Sequence, residues 1–565
     1  MQNHTIADVA RILCGFLLFL PFALFPGYVA GALSNALDFR RRSLGHKLLI
    51  AVPLSFATAP LLIYLVGRWG GMSAAWTTIG AAAATFAVLF VRDYRNASTP
   101  FAGAGRALTA ASCWIGLALA ILVDIQYKDR LYIAAASFDY AIRNEVISAI
   151  TRAGVLPANP FFYPGHPVQL RYHYLFFLPC SMVESLSGSS VKPGAALAAG
   201  TIWCGLALMC LVCLYTRHLR NTQAPISRRD AWTGILMLPV IGLDVIPVSL
   251  LISSGIVFST LDRWNEDIVG WLDSLLWAPH YVGAAIVCLT GFLVLWAAPR
   301  SGSRRPVAAC VIAGAAFACA SGMGIYVVLV FSAALAGYAV IAIWKGWKDD
   351  ILNLLLAGTV AAILAAPYLY SLVSSEGSNQ KASVLSLNVR SFKIPERVLE
   401  AAGWDWNTIA AVNLAFLPLN YSLELGVLLL VGILQAKRYA SRRAPLGRKE
   451  WAEISLIAFP VLVCTFVRSS VIAENDLGFR GFLIPQFMLL LWSIAPVRAS
   501  LRTWKPRTGK QQWRGLRTLR PWVIAGIGLG VAGTFLGAVI NRGYVPISVY
   551  LRIVFFKPPR YAVCI

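Results

Sequence analysis

Apolar stretches recur from one end of the chain to the other. A helix of about 20 apolar residues is long enough to cross a bilayer, and such runs lie at 10–32, 48–67, 74–91, 107–124, 192–215, 231–252, 275–297, 307–321, 324–344, 350–372, 407–434, 451–467, 482–497 and 521–540. The pattern therefore predicts an all-α integral membrane protein with about 14 transmembrane helices.

The segments between these runs alternate in charge. One set is short and basic and holds 30 of the 49 lysine and arginine residues, whereas the other set is nearly balanced in charge. Cytoplasmic loops carry the excess of lysine and arginine, so the basic set is predicted to be cytoplasmic and both termini to lie outside.

Composition agrees with a membrane protein. Only 13% of the 565 residues are charged and 58% are hydrophobic, whereas soluble proteins have about 25% charged residues, which excludes a soluble multidomain enzyme. The net charge of +24 is dispersed over one side of the membrane. It is therefore a topology signal, and no nucleic-acid partner is expected.

Three regions of one continuous membrane domain follow from the pattern. A four-span N-terminal region covers 1–124, an extracytoplasmic loop covers 125–191, and a C-terminal region of about ten spans covers 192–565. Within the loop, residues 137–154 place apolar side chains on one helical face and end at Gly154, as expected for an amphipathic helix at the membrane interface.

Polar residues of the predicted outer face are the candidates for chemistry. They have the donor types of a divalent-metal or acid–base site, and an ordinary solvated rim has the same composition. These residues are Asp139, Glu145, His173, Asp267, His280, Glu474, Asp476 and Arg480. From spacing alone, Asp139 also fits a helix cap that pairs with Arg143 four residues later.

Two acidic residues fall inside predicted spans, Asp244 and Glu424. An acid within the membrane is a functional hypothesis by default. Pro247 and Pro418 are expected to break their helices near the two acids, as in transporters. This pair supports a second class of function, a transporter or flippase for lipid-linked saccharides.

Three short patches resemble the GT-C type of polytopic membrane glycosyltransferase, including uncharacterised GT-C-like membrane proteins. The first patch contains Asp139, Arg143-Asn144-Glu145, Gly154 to Pro160 and Tyr172-His173-Tyr174, and the others are Trp277-Ala278-Pro279-His280 and Asn475-Asp476-Leu477-Gly478-Phe479-Arg480. The resemblance implies an enzyme that uses a polyprenyl-phosphate-linked sugar at the extracytoplasmic face, with a lipid or glycan acceptor.

The same resemblance implies roles for individual residues. Asp139 maps to the catalytic acid of the first outer loop, with Glu145 as the second candidate, and the cofactor would be a divalent cation, Mg or Mn. The residues implied in substrate binding are Arg143, Arg171, His173, His280, Asp476 and Arg480. The outer arginines suit the leaving phosphate of a lipid-linked sugar, and equally the headgroups of membrane lipids.

The chain departs from the GT-C pattern in two respects. Asp139 stands without the adjacent second acid of an Asp-x-Asp pair, and its loop follows the fourth span instead of the first. A non-catalytic assembly partner is therefore a third possible function. The expected location is multi-pass in the bacterial inner (plasma) membrane.

The topology makes a first prediction. A reporter fused within 437–449 is expected in the cytoplasm, and one fused within 155–167 is expected outside, because of the charge alternation. Alkaline phosphatase and green fluorescent protein fusions measure this directly. Both reporters on the same side would contradict the predicted alternation.

Overall fold

The structure, a computed structural model, describes residues 4–98, 104–134, 140–161, 165, 168–219, 228–253, 265–297, 305–373, 385–443, 445–469, 475–501 and 516–542. Helices dominate these residues. In chain order they are α1 His4–Leu18, α2 Leu20–Ser34, α3 Leu44–Arg95, α4 Ala104–Leu122, α5 Tyr140–Ala153, α6 Phe177–Leu186, α7 Pro193–Leu219, α8 Arg228–Leu236, α9 Val245–Ser253, α10 Trp271–Trp277, α11 Pro279–Trp296, α12 Arg305–Ser321, α13 Ile325–Trp344, α14 Lys348–Val373, α15 Lys393–Ala401, α16 Trp406–Leu425, α17 Val427–Ala440, α18 Arg448–Phe466, α19 Asp476–Gly481, α20 Leu483–Leu501 and α21 Leu516–Arg542.

Four short strands accompany the helices. They form two antiparallel pairs, of which the first joins β1 Ile125–Tyr127 to β2 Arg130–Tyr132 and the second joins β3 Leu385–Leu387 to β4 Val467–Ser469. The second pair connects two segments that are distant in sequence, and both lie in loops predicted to be outside.

Nine helices in the described part of the chain are long and apolar enough to cross a membrane, or ten if the bent pair α16–α17 counts as one span. A multi-span helical membrane protein is thus confirmed, whereas the predicted number of about 14 is not. The predicted span 231–252 is broken into α8 and α9, and the predicted span 407–434 bends by 113° between α16 and α17.

Helix α3 is a hairpin of two antiparallel arms. The chain reverses at Gly71, where φ is +75°. Lys47, near the start of the helix, has its Nζ 2.7 Å from Oδ2 of Asp93, near the end, whereas a straight helix would hold residues this far apart roughly 70 Å from each other. The two arms coincide with the spans predicted at 48–67 and 74–91.

The two broken helices cross each other at their breaks. Pro239 cannot continue α8, because proline lacks a backbone N–H and clashes with the preceding turn. Gly242 in the break lies so close to α16 that a Cβ atom there would be 2.2 Å from the carbonyl oxygens of both Leu423 and Glu424. The backbone N–H of Leu243 donates to the carbonyl oxygen of Leu423 at 2.5 Å, so a backbone group freed by one break is satisfied at the other.

Long-range ion pairs divide between the two predicted sides of the membrane. Three pairs join segments that are both predicted to be inside, namely Lys47–Asp93, Arg448–Asp350 and Arg498–Asp230. The pair Glu266–Arg390 joins two segments that are both predicted to be outside. These contacts agree with the charge alternation, and the assignment of the cytoplasmic face stays a prediction.

Helix α11 lies at the centre of the molecule, since every residue from Pro279 to Leu295 is buried. It packs against α3, α7, α12 and α13. Pro279 is its first residue, a position where proline is well tolerated, and His280 follows in the first turn. The central helix therefore carries a histidine at the end that is predicted to face outside.

The helix crossing makes a second prediction. Gly242→Ala is expected to destabilise the protein by about 1–3 kcal/mol, because overpacking forces the two backbones apart. Gly528→Ala is the matched control, since a Cβ at Gly528 meets no atom within 4 Å. Thermal unfolding in detergent measures both changes, and equal stability of the two variants would contradict the close approach.

Candidate functional site

Two stacked histidines form the centre of the outer site. The ring centroids of His173 and His280 are 4.8 Å apart with nearly parallel planes. His280 is 1% exposed, and neither of its ring nitrogens has a hydrogen-bond partner among the residues that the structure describes; the same holds for Nε2 of His173. Buried polar atoms are nearly always hydrogen-bonded in folded proteins, so this arrangement indicates a place for a ligand.

One arginine reaches the histidines from α5. Arg143 is buried and donates a hydrogen bond to the backbone carbonyl of Trp277, three residues before His280. Tyr140, one turn earlier on α5, donates its hydroxyl to the carbonyl oxygen of Leu276 at 2.6 Å. These two contacts fix the amphipathic helix α5 to the connection between α10 and α11.

A second arginine comes from α19. The guanidinium carbon of Arg480 lies 5.0 Å from the ring centroid of Tyr281, and the Tyr281 ring is 4.3 Å from that of His280. Nε of Arg480 lies 3.9 Å from Oδ1 of Asp476, one turn earlier on α19. Both arginines are thus held against the histidine pair by aromatic or backbone contacts.

Burial and positive charge keep His173 neutral. Burial lowers the pKa of His173 to about 3, and the positive charges of Arg143 and Arg480 add to this decrease. At neutral pH the imidazole of His173 therefore carries one N–H donor and one nitrogen acceptor. Two arginines and two imidazole donors form a site that suits an anion with several oxygen atoms.

The sequence-predicted residues divide into three groups. The structure brings together Arg143, His173, His280, Asp476 and Arg480. Glu145 and Arg171 are exposed, and Glu145 lies about 200° around α5 from Arg143, on the opposite face. Asp139, the predicted catalytic residue, lies outside the described residues, and so does Glu474.

A cluster of three carboxylates lies where the broken helices cross. Asp244 directly precedes α9, Glu424 lies in the last turn of α16, and Asp267 lies in the loop before α10. One ligand atom of each lies within 4.8 Å of the others. We call these residues the carboxylate triad. Hard oxygen donors are the ligands that Mg²⁺ and Mn²⁺ prefer, so this donor set fits a divalent cation.

Backbone and amide groups hold Glu424 in place. Its Oε2 accepts a hydrogen bond from the backbone N–H of Ile268 at 2.7 Å, and its Oε1 accepts one from Asn265. Asn265 also exchanges hydrogen bonds of 3.3 Å with Asn420. Residues 265–268 thus fill the space that the two breaks open.

Glu266 connects three outer loops. Its Oε1 accepts a hydrogen bond from Asn475 at 2.8 Å, its Oε2 accepts one from the backbone N–H of Ser391 at 3.0 Å, and Arg390 lies 3.8 Å away. Arg390 is 2% exposed, between the rings of Tyr421 and Phe482. Sequence reasoning missed Arg390, because no local pattern distinguishes it from the other arginines outside the spans.

The fold resembles that of an archaeal oligosaccharyltransferase. The solved structure of the Archaeoglobus fulgidus enzyme in complex with Zn and sulfate covers 77% of this chain with a TM-score of 0.42 and 14% sequence identity. The structure of AglB from the same organism, with an inhibitory peptide and a dolichol-phosphate, covers 76% at a TM-score of 0.41 and 13% identity.

The likeness is a distant one. The matches cover 53% and 56% of the oligosaccharyltransferase chains, so this chain spans about half their length. No protein-family model and no curated protein matches the sequence. No function and no residue role is transferred at this TM-score.

The unpartnered histidine makes a third prediction. His280→Phe is expected to leave the ligand-free protein as stable as before or more stable, by up to about 1 kcal/mol, because it removes buried polar atoms that lack partners. Thermal unfolding without added ligand measures the change.

Tyr215→Phe is the control for this substitution. Tyr215 is fully buried and its hydroxyl donates to the carbonyl oxygen of Leu289 at 2.7 Å, so this variant should lose about 1 kcal/mol. A His280→Phe variant that is destabilised as much as Tyr215→Phe would show that His280 is satisfied in the free protein.

Proposed function

We propose that the protein is a GT-C-type glycosyltransferase that uses a polyprenyl-phosphate-linked sugar donor at the extracytoplasmic face of the membrane. The observation that carries the proposal is His280, a fully buried histidine whose ring nitrogens have no partner among the described residues, with two arginines beside it. A phosphate group supplies oxygen atoms that can accept hydrogen bonds from an imidazole N–H and from guanidinium groups.

The position of the site supports a lipid-linked ligand. His280 lies in the first turn of α11, which is a candidate membrane span. A phosphate bound there would lie at the depth of lipid headgroups, and its polyprenyl chain would extend into the hydrocarbon region. A soluble anion gains nothing from this depth, whereas a lipid phosphate is already concentrated there.

The proposed chemistry is sugar transfer to a hydroxyl group. The bond between the anomeric carbon and the donor phosphate oxygen breaks, and a bond from that carbon to the acceptor oxygen forms. A carboxylate takes the acceptor proton, and Arg143 and Arg480 stabilise the charge that develops on the leaving phosphate. We assign the base to Asp139, which directly precedes Tyr140 in sequence, with Glu145 as the second candidate.

The carboxylate triad provides a place for the divalent cation. Asp244, Asp267 and Glu424 would hold Mg²⁺ or Mn²⁺, and the ion would supply positive charge for binding and polarising an oxygen ligand. Repulsion among three close carboxylates favours cation binding there.

A transporter or flippase for lipid-linked saccharides is the second candidate function. Its support is the meeting of Asp244 and Glu424 at two broken helices, because discontinuous helices form the substrate and ion sites of many secondary transporters. A non-catalytic assembly partner is the third, since Asp139 lacks a neighbouring acid.

Substitution of Asp139 is the fourth prediction. Asp139→Asn is expected to lower sugar transfer from labelled polyprenyl-phosphate sugar by about 10²–10⁴-fold, the usual contribution of a general base. The donor should still bind, because both arginines remain. Transfer is measured in proteoliposomes with the acceptor extract of the source membrane.

Asp244→Asn separates the candidate functions. If labelled lipid-linked sugar crosses the bilayer with the wild type, and Asp244→Asn stops this movement while Asp139→Asn does not, the protein is a transporter. If neither variant changes transfer or movement but lipid phosphate still binds, the assembly-partner function is favoured.

A further inference from the structure

Arg480 lies on a helix that is too short to hold its own position. Helix α19 has six residues, and isolated helices of this length are not stable in water. Asn475 caps it, since its Oδ1 accepts hydrogen bonds from the backbone N–H of Gly478 at 3.2 Å and of Ser469 at 3.0 Å. The orientation of Arg480 therefore depends on where Asn475 is fixed.

Glu266 fixes Asn475 from a different loop. Nδ2 of Asn475 donates to Oε1 of Glu266 at 2.8 Å, and both side chains are at least 95% buried. The other oxygen of Glu266 is held by the backbone N–H of Ser391, and Arg390 lies beside the carboxylate. Because Ser391 and Arg390 hold the carboxylate of Glu266 in place, Glu266 can fix the position of the capping residue Asn475.

Gly478 brings the backbone of α19 directly against this hydrogen bond. A Cβ atom at Gly478 would lie 2.6 Å from Nδ2 of Asn475 and 2.8 Å from Oε1 of Glu266. The hydrogen-bonded pair of Asn475 and Glu266 thus contacts α19 both at its cap and at its surface. The residues from Asn475 to Arg480, which stood out in the sequence, form one structural unit with Glu266.

We propose that Glu266 is a positioning residue for phosphate binding, which holds Arg480 beside His280 through its hydrogen bond with Asn475. This inference rests on the proposed function, in that it takes Arg480 as a phosphate ligand. Glu266 does not contact the ligand itself. Its effect reaches the site through Asn475 and α19.

The fifth prediction tests the proposal by removing the hydrogen bond between Asn475 and Glu266 and then restoring it with donor and acceptor exchanged. Asn475→Asp keeps the cap oxygen but sets a carboxylate against Glu266, and Asn475→Ser keeps a cap and loses the contact. Both variants should bind farnesyl phosphate about tenfold more weakly, as expected for a loss of a charge-assisted hydrogen bond to the phosphate. Adding Glu266→Gln to Asn475→Asp restores a donor and should return the affinity to within about twofold of the wild type.

Asn413→Asp is the matched control. Nδ2 of Asn413 donates to Oε2 of Glu396 at 3.1 Å, and Oδ1 of Asn413 accepts from the backbone N–H of Phe392. The substitution therefore places a new carboxylate next to that of Glu396, and neither residue contacts α19. It should lower the thermal stability as Asn475→Asp does and leave farnesyl phosphate binding unchanged.

The outcomes separate this inference from the proposed function. Binding is measured on the full-length protein in nanodiscs, with unfolding temperatures recorded for each variant. If the wild type binds no farnesyl phosphate, or Arg480→Gln binds it as the wild type does, the phosphate site itself is wrong and the inference falls with it. Two other outcomes overturn only the positioning role of Glu266, provided that the wild type binds farnesyl phosphate. One is normal binding by both Asn475 variants, and the other is a double variant whose affinity stays as low as that of Asn475→Asp.

Discussion

The outer half of the molecule depends on the burial of a single carboxylate, Glu266. Removing a charged group from water costs several kcal/mol unless partners replace the lost hydration, and Glu266 is 5% exposed. Its partners are Arg390, Ser391 and Asn475, which belong to two other loops. If one of these loops moved away, the buried charge of Glu266 would lose a partner. The need of this one carboxylate for partners therefore holds three segments in a fixed arrangement.

The two broken helices follow from a related constraint. In a membrane, each backbone N–H and C=O group needs a partner within the protein, and a break in a helix removes several at once. The break before α9 is tolerated because Leu243 donates to Leu423 of the other broken helix, while Ile268 donates to Glu424. Each break therefore compensates the other, and the space between them is filled by polar groups, including the carboxylate triad.

The sequence predicts the parts of this structure that have a local signal. Apolar runs locate most of the spans, basic loops give a consistent alternation, and the motif residues Arg143, His173, His280 and Arg480 do meet. The spans that carry Asp244 and Glu424 are broken, as the prolines near these acids predict, but the breaks lie at 237–244 and at Gly426, whereas Pro247 and Pro418 lie inside helices. Both breaks fall within apolar runs, so composition alone does not locate them. Arg390 was missed for a different reason: its partner Glu266 lies 124 residues away, and only the folded chain brings the two together.

Two sites of opposite charge lie at the ends of one polar network. The arginines and histidines at the start of α11 form a positive site, and the carboxylate triad forms a negative one. Glu266 separates them, because Asp267 of the triad follows it in sequence and Asn475 of the α19 cap contacts its side chain. The groups between the two sites are mostly neutral amides. Asn265 donates to Glu424 and Asn475 donates to Glu266, while Asn420 hydrogen-bonds to Asn265, so none of them neutralises a carboxylate. Direct pairing of the arginines with the triad would neutralise both sets of charges. By placing amides and one closed ion pair between them, the fold keeps the positive site suited to a phosphate and the negative site suited to a cation.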